Sequence, residues 1–324
     1  SLSAWGYNAY GQLGDGTLVD KSRPTAVLGG GAWSKIAAGT YHCLALATNG
    51  LLSAWGSNAY YQLGDGTSND KSRPTPVLGG GTWSDIAAGG FHNLAIGTNG
   101  SLSAWGYNAY GQLGDGTLVD KSRPVAVLGG GTWSSIAAGD SYSLGIGTNG
   151  SLSAWGYNNV GQLGDATLAN KFRPTAVLGG DTWFSVAKWK AIKAGYGHVL
   201  AIDSENKLFA WGLNDYGQLG DGTTTNRLLP VSVLGGGTWS DIAAGDSFSL
   251  ALGTSGSLSA WGRNSSGQLG VGDFTDRRLY PTLVRNNTDK WSKIAAGSSH
   301  CLAISSDGSL LAWGDGDNGK LGQI

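Results

Sequence analysis

Short apolar segments recur along the chain at a spacing of about fifty residues. A typical unit reads Trp-Ser-x-Ile-Ala-Ala-Gly, then Leu-Ala-Ile, then Leu-Ser-Ala-Trp-Gly, with loops between the segments. The apolar residues alternate with Ala and Gly rather than with charged residues, which is typical of strands that have neighbours on both faces. Gly interrupts every stretch in which the 3.6-residue spacing of a helix could develop. The pattern therefore predicts an all-β protein.

Two tryptophan series set the period. Trp-Gly pairs begin at residues 5, 55, 105, 155, 211, 261 and 313, and a second series stands at 33, 83, 133, 189, 239 and 291. Residues 1–24 and 101–124 are identical, and the fourth unit carries an insertion around residues 182–188. We interpret residues 1–324 as one domain whose repeats start near residues 1, 51, 101, 151, 207 and 257, with a partial repeat at 309–324.

Four strands, A to D, fit each unit when the Trp-Ser-x-Ile segment is taken as strand A. The Thr-Asn-Gly junction between B and C, as at Asn49-Gly50, predicts a hairpin with a type I′ turn. Strand A has the smallest side chains, which suits the crowded centre of sheets that radiate from an axis, while Trp and Leu fill the wider outer gaps. The sequence thus predicts a β-propeller of four-stranded blades.

The motif Trp-Ser-x-Ile-Ala-Ala-Gly-x-x-His-x-Leu-Ala-Ile, continuing to Ala-Trp-Gly-x-Asn-x-x-Gly-Gln-Leu-Gly-x-Gly over residues 83–116, returns with departures over 291–322. It resembles the repeat of the regulator of chromosome condensation family over essentially the whole chain. The near-identity of the copies is similar to that of secreted multi-repeat members from bacteria. The resemblance implies a propeller, usually of seven blades, that serves as a protein-binding platform. It also implies an extracellular or cell-surface location.

The number of blades is open between six and seven. The chain begins with strands C and D, contains five complete units and ends with A, B and C, which gives twenty-five strands. Six blades need twenty-four and close if an N-terminal strand completes the last sheet, whereas seven would lack two inner strands. The strand count favours six. A spare edge strand could pair with another subunit and lead to self-assembly.

Charge and hydropathy exclude several classes of function. The formal net charge of −1 offers no global attraction for nucleic acid. No apolar run approaches the length of a membrane-spanning helix, so we expect no membrane insertion. We expect neither a nucleic acid partner nor a nucleotide-binding loop.

Histidine and cysteine chemistry is not favoured either. The histidines share one repeat position, where two copies carry Tyr142 and Phe248, so the position indicates ring packing: His42, His92, His198 and His300. Cys43 and Cys301 also stand at one position, which Val199 occupies elsewhere, and we interpret them as small fillers. Residues 315–320 begin like a calcium loop but depart from it at Gly319. We predict no enzyme activity, no metal and no cofactor.

Turn chemistry accounts for two polar motifs. In Leu-Gly-Asp-Gly-Thr we expect Asp15 and its equivalents to accept hydrogen bonds from their own backbone. In Asp-Lys-Ser-Arg-Pro we expect Asp20, Lys21 and Arg23 to satisfy one another before the proline.

Aromatic residues in the loop after strand C are the first candidate binding site. They occupy equivalent places among Asn and Gly, so a closed ring would display several identical rings on one face: Tyr10, Tyr60, Tyr110 and Tyr216. Repeated weak contacts could give avidity for a protein, a glycan or another polymer. The alternative is that each tyrosine folds over its own loop.

Two segments that break the repeat symmetry are the second candidate. The insertion contributes Phe184, Lys188 and Lys190, and residues 273–291 contribute Arg277, Arg278 and Tyr280. A single partner could select one orientation only through such unique residues. Drift between loop copies is the alternative interpretation.

Together these features favour a non-enzymatic binding or scaffold propeller that serves in adhesion or in a surface assembly. The resemblance also implies two alternatives, a guanine-nucleotide exchange regulator and a secreted enzyme inhibitor of the same fold.

Overall fold

Antiparallel strands form nearly all the regular structure of the residues that the computed structural model describes, 1–79, 81–179, 188–285 and 290–322. They form seven sheets, which we number in chain order. Sheet 1 holds β1 (Ser3–Gly6) and β2 (Lys21–Ala26). Sheet 7 holds β23 (Trp291–Ala296), β24 (His300–Ser305) and β25 (Leu310–Gly314), followed by a 3₁₀ turn at Asp317–Gly319.

The other five sheets each contain four strands, A to D in chain order. Sheet 2 has β3 (Trp33–Ala38), β4 (His42–Ala47), β5 (Leu52–Gly56) and β6 (Lys71–Pro76). Sheet 3 has β7 (Trp83–Ala88), β8 (His92–Gly97), β9 (Leu102–Gly106) and β10 (Lys121–Ala126). Sheet 4 has β11 (Trp133–Ala138), β12 (Tyr142–Gly147), β13 (Leu152–Gly156) and β14 (Lys171–Ala176). Sheet 5 has β15 (Trp189–Ala194), β16 (His198–Asp203), β17 (Leu208–Gly212) and β18 (Arg227–Ser232). Sheet 6 has β19 (Trp239–Ala244), β20 (Phe248–Gly253), β21 (Leu258–Arg263) and β22 (Arg277–Leu283).

Strand A is the innermost strand, as its small side chains predict. Consecutive A strands pack against each other from β3 to β23. Their Ala-Gly ends line a central channel of about 460 Å³. Since only small side chains fit where strands converge, the taper from Ala and Gly inside to Trp and Leu outside is confirmed.

The hydrophobic core lies between neighbouring sheets. Between sheets 2 and 3, Leu44 and Leu63 pack with Ile86, Ala95 and Trp105. Equivalent clusters repeat around the ring, and the Trp of strand C is fully buried in sheets 3 to 6. The sheets therefore stabilise one another rather than folding as separate units.

A tryptophan hydrogen bond links each sheet to the loop of the sheet before it. The Nε1–H of Trp55 donates to the Gln12 carbonyl at 2.9 Å, and that of Trp105 to the Gln62 carbonyl at 3.1 Å. The bond recurs in sheets 4 to 7, and Trp5 of sheet 1 donates to the carbonyl of Lys320, which follows sheet 7. Seven such bonds close the circle.

The predicted six-bladed, all-β propeller is confirmed in that six sheets carry an inner strand that reaches the channel, and the two outer strands of sheet 1 occupy a further position in the ring. The predicted mode of closure is wrong. β1 does not complete sheet 7 but pairs with β2, and this two-stranded sheet lies between sheets 7 and 2. The tryptophan bond fixes that position, since Trp5 sits against the loop of sheet 7 as Trp55 sits against the loop of sheet 1.

The repeat position of Cys43 and Cys301 makes polar contacts between neighbouring sheets and does not only fill space. Cys43 Sγ donates to the Gln12 carbonyl, and Asn93 donates to the Gln62 carbonyl at 2.7 Å. The side chain at this position also contacts the histidine of the preceding sheet. For example, His42 Nε2 lies 2.7 Å from Asn93 Oδ1. Both cysteines are free thiols, as expected. A short side chain with a polar atom suits the position, and Val199 is the exception.

The predicted type I′ turn is wrong. Gly50 has a φ of 82°, whereas Asn49 does not adopt a positive φ, and Gly50 N–H donates to the Ala47 carbonyl. Asn49 Oδ1 instead accepts the N–H of Leu51 at 3.1 Å. This arrangement matches a hairpin loop that ends on a glycine in the left-handed region.

A matched pair of substitutions tests the cost of a left-handed backbone conformation in the Asp-Gly-Thr turn. Ala166 has a φ of 63° where the equivalent Gly116 has 79°, a region that costs an L-residue about 1 kcal/mol. We expect Ala166→Gly to raise the free energy of unfolding by about that amount and Gly116→Ala to lower it, as measured by chemical denaturation. A loss of stability in Ala166→Gly would contradict this explanation.

The buried histidines predict a loss of stability in mild acid. Burial lowers the pKa of His42 to about 4 and of His92 and His198 to about 3 each. The unfolded chain, with an ordinary histidine pKa near 6.5, therefore binds more protons between these values and pH 6.5. Stability is fully present above about pH 6.5 and should fall by about 1.4 kcal/mol per pH unit per histidine as pH decreases to about 4.

His92→Phe isolates one histidine, because Phe248 occupies the same place in sheet 6. Urea denaturation between pH 7 and pH 4.5 should show a slope smaller by about 1.4 kcal/mol per pH unit. Tyr142→Phe, at the equivalent place in sheet 4, is the control and should keep the wild-type slope. An unchanged slope in His92→Phe would rule out the histidines as the cause.

Candidate functional site: an aromatic arc on the loop face

The long loops between strands C and D are built around a buried asparagine. Asn58 is fully buried, and its Oδ1 accepts the N–H of Leu63 at 2.9 Å. Its amide donates to the carbonyls of Thr67 and Asn69 and to Asp65 Oδ1. One side chain thus satisfies several backbone groups that the loop would otherwise bury unpaired. The same asparagine recurs in the other five long loops described in full, at 8, 108, 158, 214 and 264.

The Asp-Gly-Thr turn completes this loop, as predicted for Asp15 and its equivalents. Asp115 Oδ1 accepts the N–H of Thr117 at 2.9 Å and its hydroxyl at 2.8 Å. Burial alone would raise the pKa of Asp115, but the Thr117 hydrogen bonds and Lys121 lower it below its ordinary value. The carboxylate is therefore a structural anion of the loop.

The predicted Asp-Lys-Arg cluster is wrong in its pairing. Lys21 Nζ lies 3.4 Å from Asp15, not from Asp20, whose carboxylate accepts the N–H of Asn8. Arg73, the counterpart of Arg23 in sheet 2, lies against Gly16 of the preceding loop. Because the loop folds back on itself, Lys21 pairs with the more distant Asp15 and not with the adjacent Asp20.

The loop holds each candidate tyrosine two residues before a glutamine, which is buried in three of the four loops. Tyr60 N–H donates to Gln62 Oε1 at 2.8 Å, and Gln62 supplies the carbonyl that binds Trp105. Tyr60 itself is 41% exposed. The same backbone bond holds the other three candidates: Tyr10, Tyr110 and Tyr216.

The tyrosine rings reach across to the next sheet rather than folding over their own loops. The Tyr60 ring centroid lies 5.3 Å from that of Phe91, in the A–B turn of sheet 3, and 5.0 Å from that of Tyr107, directly after β9. Tyr110 lies 4.6 Å from Tyr157 in the same way. Tilted and edge-on aromatic pairs at such distances are favourable.

These contacts join into one continuous row on the face formed by the A–B turns and C–D loops, which we call the loop face. Consecutive ring centroids lie 4.6 to 6.4 Å apart. We name this row the aromatic arc: Tyr7, Tyr10, Tyr41, Phe91, Tyr60, Tyr107, Tyr110 and Tyr157.

The arc ends at a pocket between sheets 4 and 5. Val160 stands where four other loops carry tyrosine, and its smaller side chain borders a cavity of about 370 Å³. Tyr110, Tyr157 and Tyr196 line one part of the cavity, and Asp140 also borders it. We call it the arc pocket.

Negative charge surrounds the arc pocket. The charge of Asp140 raises the pKa of Tyr196, whose ring is 56% exposed. Burial and Asp140 also raise the pKa of Asp246, at the mouth of the central channel. Asp215 also lines the cavity. Exposed rings beside carboxylates make a site that favours a cation.

Tyr216 has a different environment from the other three tyrosines. The guanidinium of Arg263 lies 5.2 Å from its ring centroid and that of Arg277 lies 5.9 Å away. Arg263 occupies the place that Tyr7 holds in the arc. The structure thus joins three of the four predicted tyrosines in one arc and places the fourth beneath two cations.

The symmetry-breaking residues do not come together. Lys188 and Lys190 lie at the start of β15, on the face opposite to the arc, and Lys190 Nζ bonds Asn206 Oδ1 at 2.7 Å. Arg277 and Arg278 begin β22 on the loop face, where Arg278 pairs with Asp273. Tyr280 lies on the outer strand and is 57% exposed. Phe184 lies outside the described residues.

Five of the eight residues of the arc were missed in the sequence. Tyr7, Tyr107 and Tyr157 directly follow Trp-Gly, and Tyr41 and Phe91 directly precede the buried histidine or its equivalent. The recurrence of aromatic residues at these two places was the available signal. The sequence of one repeat unit does not show how far apart the residues of neighbouring sheets lie. The recurrence of these aromatic residues was therefore not recognised as a continuous row.

Aromatic rings and carboxylates give this arrangement contacts suited to binding. Among the described residues, no three His, Cys, Asp or Glu side chains are grouped so that they could hold a metal ion. Lys320 occupies the calcium-loop segment and pairs with Asp315 at 2.6 Å. In the described part of the chain, no helix has the length and apolar character needed to cross a membrane.

Fold and site define a class: a tandem-repeat β-propeller with a loop face suited to recognition. The model of the RCC1-like domain matches residues 123–324. The model of the Regulator of chromosome condensation (RCC1) repeat matches residues 2–46, 49–96 and 99–146. The chain therefore belongs to the RCC1 repeat family, whose propellers are generally non-catalytic regulators or exchange factors.

Solved structures of this family are similar over nearly the whole chain. Human WBSCR16 is 22% identical with a TM-score of 0.88, covering 99% of this chain and 89% of its own. Prp20p from Saccharomyces cerevisiae, described with its binding to Gsp1p and histones, is 25% identical with a TM-score of 0.84 and coverages of 99% and 82%. Yeast RCC1 (Prp20) bound to Kap60 is 24% identical with a TM-score of 0.83 and coverages of 99% and 80%.

Proposed function

We propose that this protein is a non-enzymatic binding platform that captures a partner protein through the aromatic arc and the arc pocket. The observation that carries the proposal is the arc itself, a continuous row of ring contacts that crosses several sheets. Rigid aromatic side chains supply large contact area at low entropic cost, which is why they dominate binding surfaces.

The arc pocket favours a basic side chain of the partner. Tyr110, Tyr157 and Tyr196 offer ring faces, and Asp140 and Asp215 offer negative charge. A Lys or Arg placed there would gain both cation–π and ion-pair contacts. The binding of histones and Gsp1p by the related Prp20p supports a protein partner.

Selection of short random peptides displayed on phage tests the proposal. We expect wild-type protein to enrich peptides that contain Lys or Arg beside an aromatic or apolar residue. A variant with Tyr60→Ala, Tyr110→Ala and Asp140→Asn should bind a selected peptide about tenfold more weakly or worse, since it loses two arc rings and a carboxylate.

Tyr280→Ala is the matched control, because it removes an exposed ring outside the loop face. It should leave peptide affinity unchanged. Enrichment of acidic peptides, or equal binding by the triple variant, would refute the proposal. A glycan array run in parallel decides between a protein and a carbohydrate ligand, and binding to glycans alone would also refute it.

An adhesion or assembly role outside the cell is the finer form of this proposal. The identity of residues 1–24 and 101–124 supports it, because near-identical copies suit a repetitive ligand. Binding of the purified protein to intact cells, lost in the triple variant, is the expected result. Binding that survives in the triple variant would place adhesion elsewhere on the molecule.

Exchange-factor activity is the second candidate, favoured by the 25% identity to Prp20p. Release of labelled GDP from Gsp1p is the direct measurement. Acceleration that depends on loop-face residues would favour exchange over adhesion, and no acceleration would leave the binding platform as the better description of this chain.

A further inference from the structure

The arc pocket lies at a place where another pair of sheets brings three aromatic rings together. Between sheets 2 and 3 the rings that meet are Tyr60, Phe91 and Tyr107. The equivalent positions between sheets 4 and 5 carry Val160, Gly197 and Leu213, and all three residues line the arc pocket. Because each is smaller than the ring at the equivalent position, the pocket has room for a group that a ligand supplies.

The part of the pocket around Gly197 is apolar. A Cβ on Gly197 would lie 3.3 Å from Leu213 Cβ and 3.5 Å from Val160 Cγ2, so these two side chains converge over the glycine. The backbone carbonyls beside them already accept hydrogen bonds, that of Gly197 from the N–H of Leu213 and that of Ser141 from the N–H of Tyr157. Few acceptors remain for an N–H donor, so this part of the pocket suits methyl groups.

Three tyrosines line the rest of the pocket. The ring centroids of Tyr110 and Tyr157 lie 4.6 Å apart, with 49° between the ring planes. Tyr196 adds a ring that no other repeat has, since the equivalent positions of the other units carry Thr, Gly, Asp or Ser. The pocket therefore combines an aliphatic part with aromatic rings, and one of these rings is unique to this place in the chain.

The pocket also carries negative charge. Asp140 Oδ2 accepts the hydroxyl of Ser141 at 2.9 Å, which fixes the carboxylate beside the pocket. Its charge is the largest of the causes that raise the pKa of Tyr196, so it acts directly on the unique ring. In the described part of the chain, neither Asp140 nor Asp215 forms an ion pair with Lys or Arg. A bound cation would neutralise this charge.

We propose that the arc pocket binds a quaternary ammonium group, presented as a trimethyllysine side chain of the partner protein. This inference rests on the proposed function and names the side chain that the pocket prefers. The methyl groups would contact Val160, Leu213 and the tyrosine rings, and the positive charge would be attracted by the ring faces and by Asp140.

The combination of apolar surface and charge distinguishes this ligand from its competitors. An unmodified ammonium is strongly hydrated and would bring three N–H donors to a pocket whose inner part offers few acceptors. An aromatic side chain of a partner would fill the same space but would leave the carboxylates without a counter-charge. Only a methylated cation matches both parts of the pocket.

Three lysine derivatives, each capped with acetyl and methylamide groups, test the proposal on the full chain. They are unmodified lysine, trimethyllysine and the neutral analogue in which a tert-butyl group replaces the trimethylammonium. We expect trimethyllysine to bind at least about tenfold more tightly than either of the others, as measured by isothermal titration calorimetry. Unmodified lysine lacks the methyl groups, and the tert-butyl analogue lacks the charge.

Val160→Tyr places in the pocket the residue that four other loops carry, so it should abolish binding of trimethyllysine. Ser266→Tyr is the matched control, because Ser266 holds the same place in the loop of sheet 6 and its N–H donates to Gln268 Oε1 in the same way. It should bind as wild type does. Both variants should keep the thermal unfolding midpoint of wild type.

A second pair of variants tests the unique ring without filling the pocket. Tyr196 is 56% exposed, so Tyr196→Leu should fold normally. It should weaken trimethyllysine binding at least about fivefold, because it removes a ring face. Tyr196→Phe keeps the ring and should retain most of the affinity.

The outcomes decide the proposal. Tight binding of trimethyllysine that is lost in Val160→Tyr and kept in Ser266→Tyr supports it. Equal affinity for trimethyllysine and unmodified lysine would overturn it, and so would equal affinity for the tert-butyl analogue or no binding of any derivative. If basic peptides are nevertheless enriched in the phage selection, the proposed function stands without this inference. Tighter binding of free choline than of trimethyllysine would assign the pocket to a small ligand and would also overturn the proposal.

Discussion

The bond from each tryptophan N–H to the carbonyl of the preceding loop is the contact on which the molecule depends. It fixes the distance and rotation between neighbouring sheets, and it lies where an unpaired donor or acceptor would be costly. The Gln62 carbonyl can point inward because Asn58 pins the loop at Leu63. Since Tyr60 lies two residues before Gln62, the bond that closes the ring also sets the position of the arc.

The repeat made much of the fold predictable. The period, the small inner strand and the buried tryptophans follow from one unit, because every unit meets the same steric conditions. Two local predictions failed for a shared reason. The Asn49 side chain accepts a hydrogen bond from Leu51 instead of forming a type I′ turn with Gly50, and Lys21 pairs with Asp15 instead of Asp20. In both cases the geometry of the folded loop, and not the neighbouring residue in the sequence, decides the partner.

The candidate site was only partly predictable, because its contacts run between units. Tyr60 was identifiable as an exposed loop residue, but its partners Phe91 and Tyr107 belong to the next sheet. The rotation between sheets decides which side chains meet, and that rotation arises from the tryptophan bonds and the core packing between sheets rather than from the sequence of one loop. The arc pocket also depends on a difference between repeats, since it opens where Val160 stands at the place of a tyrosine.

Identical sequence does not give identical surface in this ring. Leu2 and Leu102 share the same twenty-four-residue context, yet Leu102 is 4% exposed while Leu2 is only partly buried. Tyr7 is 39% exposed, whereas Tyr107 is more deeply covered between Tyr60 and Tyr110. A strand of this template acquires its burial from the sheets on either side. Near-identical repeats therefore become distinguishable by where each copy stands in the ring, as at the end of the arc beside Val160.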